Sequence, residues 1–279
     1  MNAWYQLIGL LPFEWAHYVF MKNALLAILL ISPLFALLGC MVIHNQMAFF
    51  SEALGHAALT GIAIGVLLGM ADPLWSMTAF AVLLALAVSA LRRYSAASTD
   101  TIIGLVMSFT VALGVVLLSR GGGFAKYSRY LIGDILTITP AEIARLLAVL
   151  TGVVTLWLLF FNRLFMASIS RSLAGSRGIR VGLVEAVFSV IVAVVVTVSI
   201  PWIGLLVINS MLVLPAAASR NIASNTPRYI LGAVLISLVS GVGGLLCSYY
   251  WGTATGATIV LFAMGFFLLS FIPRFRGSR

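Results

Sequence analysis

Apolar stretches of membrane-spanning length recur from Phe20 to Ile272, and no polar block between them is large enough to be a soluble domain. A bilayer core is crossed by about 20 apolar residues in a helix. Every backbone amide and carbonyl in lipid must be satisfied internally, so spanning segments are helices or closed barrels. A barrel would alternate apolar and polar residues, and these runs are uniformly apolar. The sequence therefore predicts an all-α polytopic membrane protein, read as a single domain over 1–279. Only 8% of the residues are charged, against about 25% in soluble domains.

Nine spans can be drawn, at roughly 20–42, 52–70, 74–91, 100–119, 143–161, 184–200, 203–219, 229–250 and 255–272. The seventh is short and is separated from the sixth by Pro201, so a count of eight is the alternative. Residues 1–19 hold Trp4, Tyr5, Trp15 and Tyr18 and read as an interfacial helix, where aromatic rings settle. They lack a basic start and a small-residue cleavage site, so no removable signal is expected.

The net charge of +9 is strung across short loops rather than gathered on one surface, which argues against a nucleic-acid partner. It sets orientation instead. With 162–182 inside, eleven Lys and Arg are cytoplasmic, among them Arg92, Arg93 and Arg180, and five are outside. The positive-inside rule favours that arrangement. With nine spans the N-terminus is outside and the C-terminus inside. Loop 120–143 is then external, and loop 162–182 is a long internal segment with a short helix ended by Gly175. Cys40 and Cys247 lie in apolar spans, where cysteine serves as a small hydrophobe.

Seven acids and three histidines occur in the whole chain. Asp72 reads as a turn former, and Asp100 and Glu142 as helix-start residues. Glu185 is placed to reach the cytoplasmic interface. Glu14 and His17 fall in the N-terminal helix, and His44 in a short inside loop. Glu52 and His56, in "SEALGHAALTGIAIG" (51–65), stand apart. They are one turn apart on one helix face, flanked by Gly55, Ala57, Ala58 and Gly61. A carboxylate oxygen and an imidazole nitrogen suit a divalent metal such as zinc or manganese. The bland alternative is a hydrogen-bonded pair that fixes packing. Two ligands do not complete a tetrahedral site, so either Asp134 joins them or two copies each bring a pair. No G-K-[ST] phosphate loop is present, since the only lysines are Lys22 and Lys126. Nothing supports an enzyme acting on a covalent bond.

From about Lys22 to Pro273 the chain resembles the permease subunits of bacterial ATP-binding-cassette importers for zinc, manganese and chelated iron. The resemblance rests on "SEALGHAALTGIAIG", "DTIIGLVMSFTVALGVVL" (100–117), "YLIGDILTITPAEI" (130–143) and "LLVINSMLVLPAAASRNIA" (205–223), in family order. Glu52 stands where many members have Asp. The fourth span lacks the additional histidine that zinc members often carry. The resemblance implies a type II importer-like permease in the bacterial inner membrane, paired with a second copy. It also implies a cytoplasmic ATPase that hydrolyses the ATP, and an external metal-binding protein. Zn²⁺ or Mn²⁺ would be the substrate, with no permanently bound cofactor. Glu52 and His56 would meet the ion, with Asp134 near the outer gate. Loop 162–182 would couple to the ATPase through Met166, Ser168, Ile169, Ser170, Leu173, Ala174 and Gly175. The alternatives are a permease for a larger iron chelate or corrinoid, and a self-sufficient cation channel or carrier.

Overall fold

A computed structural model describes residues 2–10, 12–70, 72–121, 133–169 and 171–272, and among these all regular structure is helical. Helix α1 (Asn2–Gly9) and a 3₁₀ turn (Glu14–His17) precede α2 (Val19–His44), α3 (Phe50–Leu67), α4 (Pro73–Tyr94) and α5 (Thr99–Gly121). A second 3₁₀ turn (Ile135–Thr137) leads into α6 (Pro140–Ile169) and the short α7 (Arg171–Ser176). The chain continues as α8 (Val181–Ile203), α9 (Leu205–Ile222), α10 (Thr226–Trp251) and α11 (Thr255–Leu269).

Eight of these helices, α2 to α6 and α8 to α10, are long and apolar enough to cross a membrane. The expected weak member was the seventh span. That segment is α9, with 18 residues, and the short one is instead α11, with 15. At 1.5 Å per residue, 15 residues reach about 22 Å, short of a core of about 30 Å. Nor does Pro201 divide the sixth span from the seventh. It lies inside α8, and the chain turns at Gly204, whose φ of +80° suits a residue without Cβ.

Helix starts carry local chemistry. Asp72 accepts the Leu74 amide ahead of Pro73, and Asn225 accepts that of Arg228. Thr139 and Glu142 form a reciprocal capping box: the Thr139 amide donates to Glu142 Oε2 at 2.7 Å, and the Glu142 amide to Thr139 Oγ1 at 3.4 Å. At α5 the cap is Ser98, whose Oγ accepts the Thr101 amide at 3.2 Å, and Asp100 sits in the first turn.

The chain forms two compact units. The first comprises 1–40, 132–152 and 202–279, and the second 41–131 and 153–201. In the first, α9, α10 and α11 pack on one another, with Phe35, Leu38 and Ile208 fully buried. Small residues set the spacing: a Cβ on Gly39 would lie 1.9 Å from the Leu212 carbonyl oxygen. The N-terminal aromatics do more than lie at an interface. Trp4 Nε1 donates to the Lys22 carbonyl, Tyr5 Oη donates to Asn23 Oδ1, and Trp15 is buried. In the second unit α3 packs against both α4 and α5. Phe50, Leu54, Ile62, Met77 and Ile103 form its core.

Candidate functional site

Helix α3 is held on two sides, by α4 and by α5, with residues that leave little room. A Cβ on Gly61 would meet Met77 Cα at 2.6 Å, so α3 and α4 touch at their backbones. One turn on, a Cβ on Gly65 would fall 2.1 Å from Ser76 Oγ. On the α5 side, Thr60 Oγ1 donates to the Thr110 carbonyl at 2.7 Å, and Thr60 sits against Gly114. From Phe50 to Gly65 every position is buried except Glu52, His56, Leu59 and Ile64, which are half-buried. At 100° per residue the first three fall within about 60° of arc. The carboxylate and the imidazole thus share one partly open stripe along the first three turns of α3, which opens again at its end at Ile64, Val66 and Leu67. Cβ atoms one turn apart are about 5–6 Å from each other, a span one divalent ion can bridge.

Asp134 belongs to the other unit. It is exposed, and its Oδ1 accepts the Leu136 amide at 3.0 Å, capping the 3₁₀ turn. Gly133 before it has a φ of +65° and lies against the α8–α9 turn, where a Cβ would come 2.0 Å from Gly204 N. The "GDIL" sequence therefore builds a tight turn packed on Gly204. Among the described residues no group of three or more His, Cys, Asp or Glu is arranged to hold a metal ion.

The segment read as a coupling loop is mostly helix. Helix α6 runs on to Ile169, so Met166 (half-buried), Ser168 and Ile169 lie in its last turn, and Ser170 is outside the described residues. Leu173, Ala174 and Gly175 lie in α7, with Ala174 fully buried. Gly175 does not end that helix. The Gly178 amide donates to the Gly175 carbonyl, and the Ile179 amide to the Ala174 carbonyl, with Gly178 at φ +73°. This is a Schellman closure with Gly178 in the left-handed position. Of the loop read as external, Lys126, Arg129 and Tyr130 lie outside the described residues.

Residues 17–274 match the ABC 3 transport family. The chain belongs to that family. It is 30% identical to the high-affinity zinc uptake system membrane protein ZnuB of Haemophilus influenzae, over 91% of this chain and 97% of the relative. It is 26% identical to the manganese transport system membrane protein MntC of Listeria monocytogenes, over 91% of each. Among solved structures it is similar to PsaBC from Streptococcus pneumoniae in complex with Fab, with a TM-score of 0.79 at 28% identity, covering 98% of this chain and 96% of that one. An inward-facing putative metal-chelate type ABC transporter shares the fold, with a TM-score of 0.63 at 14% identity over 90% of this chain and 85% of that one. The protein is thus the permease subunit of an ABC transporter, a multi-pass protein of the bacterial inner membrane.

One cluster in this ABC 3 permease has no motif of its own in the sequence. Arg92 Nη1 donates to the sulfur of buried Met47 at 3.1 Å. Met47 and Arg92 line a small cavity with Leu164 and Ala167 from the end of α6, and Val184 and Glu185 from the start of α8. Met47 lies three residues ahead of α3, so the helix with the Glu52–His56 pair begins where the residues leading into α7 converge. The paired arginines at 92–93 were the only hint of this in the sequence.

Proposed function

We propose that this permease moves zinc or manganese inward, and that Glu52 and His56 are the protein ligands the ion meets on its way. The placement of a carboxylate and an imidazole on one partly open stripe of the first three turns of α3 carries this reading. A pair of borderline-hard ligands suits either ion, and relatives named for zinc and for manganese transport agree with it. Two protein ligands replace part of a hydration shell without forming a closed cage, so an ion can enter and also leave. A second copy of the chain, related by a two-fold axis, would supply another pair and bring the protein ligands to four. Asp134 would stand at the outer entrance, its exposed carboxylate attracting the cation. An external metal-binding protein would deliver the ion. A cytoplasmic ATPase would hydrolyse the ATP and press on α7 and the end of α6.

Uptake of labelled zinc, with and without excess manganese, tests this in cells that depend on this permease and its partners. Glu52→Gln and His56→Gln are each expected to lower uptake at least tenfold at unchanged membrane level. Suppression by manganese would make manganese the preferred ion. Uptake unchanged in both variants would reduce the pair to a packing contact.

A further inference from the structure

A cleft of about 740 Å³ opens between the last turn of α4 and the first turn of α8, both in the second unit. Arg92, Arg93 and Arg180 line it, together with Tyr94 and Glu185. Three guanidinium groups against one carboxylate leave the cleft with an excess of two positive charges. Arg92 is engaged with Met47, whereas Arg93 and Arg180 are exposed and able to reach a ligand. Arg93 is already aimed: its Cζ lies 5.9 Å from the centre of the Tyr94 ring, and its Nη1 lies 3.7 Å from where a Cβ on Gly182 would stand. The remaining wall is apolar and open, with Leu86 at 43% and Leu183 at 52% exposure. Both leucines lie on helices of membrane-spanning length. The cleft is therefore amphipathic, with arginines at the ends of the two helices and exposed leucines beside them.

We propose that this cleft binds the phosphate of an anionic phospholipid from the cytoplasmic leaflet. Arginine forks match phosphate oxygens two at a time, and basic pockets between spanning helices suit acidic headgroups. Tyrosine is at home at headgroup depth. An acidic surface of a cytoplasmic protein would satisfy the arginines but leave Leu86 and Leu183 uncovered, whereas a lipid covers both walls. A headgroup carrying its own ammonium would bring a cation against the arginines, so the anionic class is selected. The bound lipid would tie the end of α4 to the start of α8, a few residues beyond α7. The assignment is independent of which ion the permease carries.

Native mass spectrometry of the detergent-solubilised permease with its ATPase tests it, with titrations of phosphatidylglycerol, phosphatidylcholine and inorganic phosphate. Phosphatidylglycerol adducts are expected at least fivefold above phosphatidylcholine adducts. Arg93→Gln with Arg180→Gln should abolish that preference, and Arg93→Lys with Arg180→Lys, which keeps the charge but not the fork, should fall between. Equal phosphatidylglycerol binding by wild type and the Gln pair overturns the proposal. Loss of the ATPase from the Gln pair with adducts intact overturns it as well, and makes the cleft a protein contact. Inorganic phosphate that strips the adducts at matched concentration would identify free phosphate as the ligand and remove the lipid assignment.

Discussion

Glu52 is the costliest residue in α3 to keep. A carboxylate at the centre of a span costs ~2.5–3.5 kcal/mol on insertion scales, less near the first turn where Glu52 lies. A residue retained for packing stabilises the protein, and one retained for cargo need not. Glu52→Gln is therefore expected to leave the thermal midpoint of the purified permease unchanged or raised while uptake collapses. A midpoint lowered by several degrees would mean that the carboxylate is structural. Glu52→Asp keeps the charge on a shorter arm, and uptake should stay within about threefold of wild type, since removing one methylene shifts a ligand by little more than 1 Å. Two glycines of the second unit, Gly61 in α3 and Gly104 in α5, differ from one another in the same testable way. Gly61→Ala must force the α3 and α4 backbones apart, at about 1–3 kcal/mol, and should lower the midpoint. Gly104→Ala has nothing within 4 Å of its new methyl. It should raise the midpoint, because alanine is the better helix former by about 0.5–1 kcal/mol. Paired melting curves of the two variants, with opposite shifts, check both statements.

Helix ends separate what the sequence discloses from what it hides. Nine apolar segments and the E-x-x-x-H spacing were legible, because spanning length and one-turn periodicity are local properties. The turn between α8 and α9 was misplaced because Pro201 looks like a breaker. Within a bilayer a proline can remain in a helix, while the bend goes where a positive φ is cheap, at Gly204. The end of α7 was misplaced for a related reason, since two glycines stand three residues apart and only Gly178 takes the left-handed conformation. The Arg92–Met47 contact was invisible because it joins residues 45 apart with no shared pattern. The end of α2 is stranger: it closes in a Schellman pair, Gln46 amide to Ile43 carbonyl and Met47 amide to Val42 carbonyl. Gln46 takes the left-handed position at φ +55°, the only non-glycine among the described residues to do so. That conformation costs an L-residue about 1–2 kcal/mol, and replacing it with glycine returns part of this as unfolded-chain entropy. Gln46→Gly should therefore stabilise the permease by about 0.5–1 kcal/mol, read as a higher midpoint in detergent. A lower midpoint would mean that the glutamine side chain contributes more than its backbone loses.

The side on which the C-terminus lies depends on the short apolar helix α11. Eight long helices alone would return the chain to the side on which it began, and the charge rule puts Lys22 outside and α7 inside. The C-terminus carries Arg274, Arg276 and Arg279. If α11 stopped within the bilayer or turned back, these three cations would be external, against the bias that orients everything else. A helix of 15 residues leaves several ångströms of hydrocarbon unspanned, a mismatch that thinning of the bilayer and long flanking side chains can absorb at fractions of a kcal/mol per Å. Three misplaced arginines oppose the topology more strongly than that mismatch does, so nine crossings are expected. A fluorescent protein fused after Arg279 folds only in the cytoplasm and should be bright. A cysteine at Ser176, in α7, should resist an impermeant thiol reagent added to intact cells and react once they are opened. A dark fusion with Ser176→Cys still protected would give eight crossings and an external C-terminus. Labelling of Ser176→Cys in intact cells would invert the whole orientation and take α7 out of reach of any cytoplasmic ATPase.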